Sequence, residues 1–187
     1  MSTHDATIPS SPTSKDPGTV KMHSYWLDTA TPSGDYTQTP LPKEVDVAVV
    51  GAGFTGLSTA YHAAKAGKSV AVLETNTVNW GASGRNGGMA TTGLAIGFRT
   101  AIKRYGEQRA IEYFREYNAA IDLIEDLVRE HDLDVDYART GKMNLAWKPS
   151  HLEGLKQTAE ALHRLVDQPV RIVERDDIRS EIGSDVY

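Results

Sequence analysis

Gly51, Gly53, Gly56 and Glu74 are the residues whose types and spacing point to chemistry. Three glycines in the order Gly51-Ala52-Gly53-Phe54-Thr55-Gly56 can hold a dinucleotide, each for its own reason. Gly51 lets the chain turn tightly. Gly53 removes a side chain that would block a pyrophosphate, and Gly56 lets a helix pack close to a strand. Glu74 offers a carboxylate to the two hydroxyls of an adenosine ribose, which favours a ribose without a 2′-phosphate.

Such a motif is weak by itself, because glycine-rich turns are common; its context decides. Before it stands Val45-Asp46-Val47-Ala48-Val49-Val50, a short β-branched run without helical period, which predicts a buried parallel strand. After it comes an alanine-rich run with Ala60, Ala63, Ala64 and Ala66, which predicts a slim helix from near Gly53 to a left-handed end at Gly67. Val70-Ala71-Val72-Leu73 then predicts the returning strand, with Glu74 at its tip. The unpaired N–H groups and positive dipole end of the helix face whatever lies over the turn, so an anion is expected there.

A second glycine cluster follows Val78-Asn79-Trp80: Gly81-Ala82-Ser83-Gly84-Arg85-Asn86-Gly87-Gly88-Met89. Composition alone allows a flexible surface loop. Its place after the second strand, on the ligand side, favours instead N–H groups, a Ser83 hydroxyl and an Arg85 charge that meet phosphate and ring atoms.

These two glycine runs, with Ala60, Gly67, Glu74, Ser24-Tyr25-Trp26 and Arg139-Thr140-Gly141-Lys142, resemble the amino-terminal part of the D-amino-acid oxidase superfamily of FAD-dependent amine oxidoreductases, nearest to gamma-glutamylputrescine oxidase-like enzymes. The resemblance covers residues 24–187. It implies FAD as cofactor, with the AMP half and pyrophosphate over Gly51, Gly53 and Thr55, the ribose at Glu74, and residues 83–89 running toward the flavin. The cofactor-binding set so implied is Gly51, Ala52, Gly53, Phe54, Thr55, Gly56, Glu74, Thr75, Gly81, Ala82, Ser83, Arg85, Asn86, Gly87, Gly88 and Met89. It also implies a small-molecule amine or amino acid as substrate. Hydride leaves the C–H beside nitrogen for the flavin, water hydrolyses the imine, and oxygen or another acceptor takes the electrons. No residue is assigned a catalytic role. The family's later strands, substrate cavity and final flavin loop have no counterpart here, so residues 1–187 are expected to be a piece of a longer chain.

The expected fold class is α/β: a Rossmann-like FAD-binding domain and the start of a second, mixed-sheet substrate domain. Residues 1–22, rich in Ser, Thr, Pro and Asp, are expected to form a disordered arm, residues 23–137 the FAD domain with its following helices, and residues 138–187 the start of the substrate domain. Tyr25 and Trp26 are expected to pin the arm to the domain surface.

Composition bounds the alternatives. The 187 residues are 40% hydrophobic and 24% charged, an ordinary soluble type. A net charge of -5 with no basic cluster argues against nucleic acid or an anionic membrane as partner. Without cysteine there is no disulfide, thiolate nucleophile or Cys-based metal site in this stretch, and the six histidines have no metal-ligand spacing. No apolar run is long enough to span a bilayer, and the cytoplasm is the expected compartment.

Beyond residue 98 the pattern turns helical, with Ile111, Phe114, Tyr117, Ile121, Ile124 and Val128 at steps of three and four, and Gly106 as a break. The neighbours Glu125 and Asp126 face different directions on such a helix and read as a solvated face. Residues 133–137, 143–147 and 168–174 read as strands. Ser150 with Glu153 reads as a capping box before a helix carrying Leu155, Ala159, Leu162 and Leu165 on one face, and residues 176–182 as a short helix. Two other function classes stay open: a flavoprotein fed by NAD(P)H, which needs a second nucleotide motif that is absent here, and a nucleotide-binding module without activity.

Overall fold

A computed structural model describes residues 22–30 and 34–184. The expected arm at residues 1–22 lies almost wholly outside the described residues. The chain packs as two compact units, divided between Gly88 and Met89.

In the first unit the predicted strand-turn-helix-strand order is present. Strand β1 (Val47–Val50) pairs in parallel with β2 (Val70–Leu73), joined by helix α2 (Phe54–Lys65) and preceded by a short helix α1 (Tyr25–Thr29). Register runs from Val47 opposite Val70 to Val50 opposite Leu73. A polar clip fixes the start of this ladder. Ser69 Oγ accepts the Asp46 N–H at 2.9 Å, and Asp46 Oδ2 accepts both the Ser69 N–H and hydroxyl at 2.8 Å. At the other end Gly51 N–H donates to Leu73 O at 2.7 Å. Gly67 closes the helix at φ +78°, as its position predicts.

The core of this unit is small: Val49 and Ala52 are its buried apolar residues among those described, while Val50 is 87% exposed. Gly56 sits where the helix crosses the turn. A Cβ there would lie 1.9 Å from Gly51 O and 3.3 Å from Val49 Cγ1, so the close helix–strand approach expected of this glycine is real and leaves no room for a methyl.

The second unit is helical. Helix α3 (Phe98–Tyr105) ends at Gly106, φ +86°, which also opens α4 (Glu107–Glu130); the break predicted at this glycine is therefore present. Helix α5 (Pro149–Val166) and a 3-10 turn (Arg175–Ser180) follow. Phe98, Ala101, Ala110 and Phe114 form the core, with Leu162 and Leu165 of α5 packed on it. The Phe98 and Phe114 rings meet edge to face, centroids 5.3 Å apart. Asp122 and Glu125 both pair with Arg139, whereas Asp126 pairs with Arg129, so the two adjacent carboxylates do face different ways.

Several expectations need correcting. Residues 133–137, 143–147 and 168–174 form no strand; β1 and β2 are the paired strands among the described residues. A strand requires a ladder partner, which the apolar-acidic alternation of residues 133–137 cannot supply alone. Asp136 at φ +51° and Gly141 at φ +87° also interrupt any extended run. The capping box does not form either. Lys148 is the N-cap of α5, Pro149 occupies its first turn, and Ser150 lies inside the helix. Proline's fixed φ suits that first position and moves the start upstream of the serine.

Candidate active site: the glycine turn and its second loop

The site is built where β1 hands over to α2. Gly51 adopts φ +98°, and a Cβ there would meet nothing within 4 Å, so the face over the turn is bare backbone. Gly53 is the N-cap of α2, and Leu57 is the first N–H of the helix to reach a backbone acceptor, Gly53 O at 2.9 Å. The N–H groups of the first turn therefore converge above the glycines. That turn has no acidic residue to compete with an incoming anion, and Lys65 in the last turn offsets the negative end of the helix dipole.

Glu74 is tied into the same turn. Its Oε2 accepts the Ala52 N–H at 2.8 Å and its Oε1 the Asn76 N–H at 2.9 Å. These bonds, that from Ala52 foremost, hold the Glu74 carboxyl below the usual carboxylate range. A carboxylate has about four lone-pair sites. The backbone N–H groups of Ala52, Asn76 and Thr75 do not use all of them, so acceptor capacity remains for a hydroxyl group.

The second glycine cluster folds back onto the helix start. Residues 82–84 form a 3-10 turn, and Ser83 Oγ accepts the Phe54 N–H at 2.9 Å, so this hydroxyl caps α2 from outside the helix. A Cβ on Gly53 would come within 2.9 Å of that Ser83 Oγ. Asn79 N–H donates to Ala52 O at 3.0 Å, while its own Oδ1 is buried without a partner among the described residues. A Cβ on Gly84 would strike Asn79 O at 2.2 Å. The Asn86 amide donates to Ser83 O at 2.7 Å, and its Oδ1 accepts the Gly88 N–H at 2.8 Å, closing the loop on itself.

The structure thus brings Gly51, Ala52, Gly53, Phe54, Gly56, Glu74 and Ser83 together at the start of α2, where Glu74 is hydrogen-bonded to Ala52 and Ser83 to Phe54, with Thr55 in the first turn of α2. Thr75 follows Glu74 at its rim. The Arg85 guanidinium lies over the Trp80 ring, 4.2 Å from the centroid, an arrangement that holds the charge beside the loop. Gly81, Ala82, Asn86, Gly87 and Gly88 belong to the loop itself, and Met89 opens the second unit. Asn79, at φ +61°, plays a part that sequence reasoning missed. Its signal was present, since asparagine before an aromatic and a glycine is a residue that tolerates a left-handed turn. Among the described residues no group of three or more His, Asp or Glu side chains is placed to hold a metal ion, and no helix is long and apolar enough to cross a membrane.

A bare turn at a helix N-terminus joined to an acid at the next strand's tip fits the pyrophosphate and ribose of FAD. Comparison with known proteins agrees. The model of a family described as FAD dependent oxidoreductase (DAO) matches residues 46–185. The chain is 30% identical over 167 residues to the probable oxidoreductase OrdL of Haemophilus influenzae, covering 89% of this chain and 38% of that protein. It is 34% identical over 142 residues to the gamma-glutamylputrescine oxidoreductase of Escherichia coli, covering 76% of this chain and 33% of that one. A shorter match, 31% over 108 residues, links it to the 4-methylaminobutanoate oxidase (formaldehyde-forming) of Paenarthrobacter nicotinovorans, 57% of this chain and 11% of that protein. The chain spans roughly a third to two-fifths of the length of the first two relatives, 38% and 33%. No solved structure matches.

Proposed function

This chain belongs to the FAD dependent oxidoreductase family, and from that premise we propose that it carries the FAD-binding part of an enzyme that oxidises an amine at the carbon beside nitrogen. FAD is the cofactor of the family. In this reading the N–H groups of Gly53, Thr55 and Gly56, beside those that Leu73, Glu74 and Ser83 already engage, receive the pyrophosphate, Glu74 with Thr75 receives the ribose, and residues 81–89 flank the path toward the flavin. When bound, the flavin supplies hydride acceptance from the substrate C–H, and oxygen or another acceptor supplies its reoxidation. The chain's own residues bind and orient: α2 offers its dipole, Glu74 its two oxygens, Ser83 its cap.

The observation that carries the reading is the Glu74–Ala52 hydrogen bond, because it joins the ribose-binding acid to the phosphate-binding turn. The substrate class rests on two relatives whose names specify amines, gamma-glutamylputrescine and 4-methylaminobutanoate. An amine carrying a carboxylate is the proposed substrate class. The FAD domain is proposed to extend to residue 137, with a substrate domain from residue 138. The cytoplasm is the proposed compartment, on the ordinary soluble composition.

The test is a visible spectrum of the purified protein, before and after anaerobic addition of gamma-glutamylputrescine or 4-methylaminobutanoate. Flavin bands that bleach with either amine support the reading. Flavin bands that bleach with NAD(P)H and not with amines would replace the amine with a nicotinamide donor, and absence of flavin would overturn the cofactor assignment.

A further inference from the structure

Helix α1 has five residues, too few to be stable alone, so something else holds it in place. It is held at three points, all of them on the second glycine loop. Ser24 caps the helix, its Oγ accepting the Leu27 N–H at 3.2 Å, and donates its own hydroxyl to Gly84 O. Leu27 lies against Gly84, its Cδ2 3.5 Å from where a Cβ would stand. Trp26 donates its indole N–H to Asn86 O at 2.7 Å, across sixty residues of sequence. The Trp26 ring also covers Gly88, where φ is +69° and a Cβ would lie 2.5 Å from Cζ2.

Every one of these contacts falls on main chain or on a glycine of the loop that turns back to Phe54 N–H through Ser83. The relation is therefore specific: the arm grips the backbone of residues 84–88 and leaves the side chains of Arg85 and Asn86 to their own partners. The glycine at position 88 is required by the ring above it as well as by its own φ. Trp26 is 41% exposed while its N–H is satisfied and its ring sits on glycine, so its contacts are with the loop rather than with a core.

We infer that Ser24 and Trp26 are positioning residues, a strap that sets the conformation of residues 84–88 and through it the affinity of the site for FAD. The inference rests on the proposed FAD site and adds a determinant outside both glycine motifs. The ordering of loop N–H groups before the cofactor arrives lowers the entropy lost on binding. Removal of the strap leaves the turn, Glu74 and Ser83 in place and loosens only the loop.

The test uses the protein with and without FAD and the variants Trp26→Ala, Trp26→Phe, Gly88→Ala and the Trp26→Ala/Gly88→Ala pair. Amide hydrogen exchange is read at residues 84–88 and, as a control, in α4, and FAD affinity is read by recovery of flavin fluorescence quenching. Trp26→Ala is expected to speed exchange at residues 84–88, to leave α4 unchanged, and to weaken FAD roughly tenfold, the size of one lost hydrogen bond with its packing. Trp26→Phe, which keeps a ring over Gly88 and loses the N–H, falls between. Gly88→Ala weakens FAD more with the ring present than after Trp26→Ala, because only its backbone strain persists once the ring is gone. Wild-type exchange at residues 84–88 and wild-type FAD affinity in Trp26→Ala overturn the inference, as does a Gly88→Ala effect that is the same with and without the ring. If the unaltered protein takes up no FAD, the cofactor reading fails instead, and the exchange at residues 84–88 still decides whether the strap exists.

Discussion

The Glu74 carboxylate accepts the backbone N–H of Ala52 at 2.8 Å, so the acid at the tip of β2 and the glycine turn after β1 are one hydrogen-bonded unit. The ribose end and the pyrophosphate end of the proposed site cannot shift independently. Glu74→Gln keeps the shape and loses the charge on the acceptor. It is expected to weaken FAD by about tenfold, since charge-assisted hydrogen bonds are about twice as strong as neutral ones. Equilibrium titration of the flavin-free protein measures it.

The same bond makes an acid limit. The Glu74 carboxyl is held low first by the Ala52 N–H, then by that of Asn76, and Asp46 is held low by Ser69. A group with a depressed folded value contributes stability that is fully present above its unfolded value, near ~4 for these acids, and that is lost as pH falls through the lower folded value. Thermal melts are therefore expected to be flat from neutral pH down to about pH 5 and to drop below it. In Glu74→Gln and Asp46→Asn the acid drop shrinks; an unchanged drop in both would remove these groups as its cause.

Gly56 and Gly51 should fail for different reasons. A methyl at Gly56 collides with Gly51 O at 1.9 Å, so Gly56→Ala is expected to cost about 3 kcal/mol by overpacking and to release flavin. Gly51→Ala meets open space but must hold a positive φ, at a cost of about 1–2 kcal/mol. Denaturant melts that rank Gly51→Ala as the more damaging would contradict the close packing of α2 on the turn.

The second unit depends on one aromatic pair. Phe114 is buried against Phe98, and Phe114→Ala is expected to destabilise the protein by about 3–5 kcal/mol, with Phe114→Leu, which keeps apolar bulk but loses the ring pair, costing less. Chemical denaturation of both variants checks the order.

Much of the first unit was legible because its signals are local. Val47 to Val50, the glycine spacing, Gly67 and Glu74 each carry a conformational demand that neighbouring sequence cannot override. Gly106 was readable for the same reason. The strands expected at residues 133–137 and 143–147 were not, because a strand is a property of two segments and alternation in one does not reveal its partner. Ser150 looked like a cap until Pro149 proved the better first residue. That Trp26 pins the arm was readable from its residue type; that it does so on Asn86 O, sixty residues away, was not, because no local pattern names the partner.

The most direct measurement is the flavin content of the purified protein beside Gly53→Val. A Cβ at Gly53 comes within 2.9 Å of Ser83 Oγ, and a branched side chain there intrudes on the proposed pyrophosphate path. Flavin is expected in the unaltered protein and lost in Gly53→Val, with the far-ultraviolet circular dichroism of both alike. Equal flavin in the two proteins would contradict the proposed site.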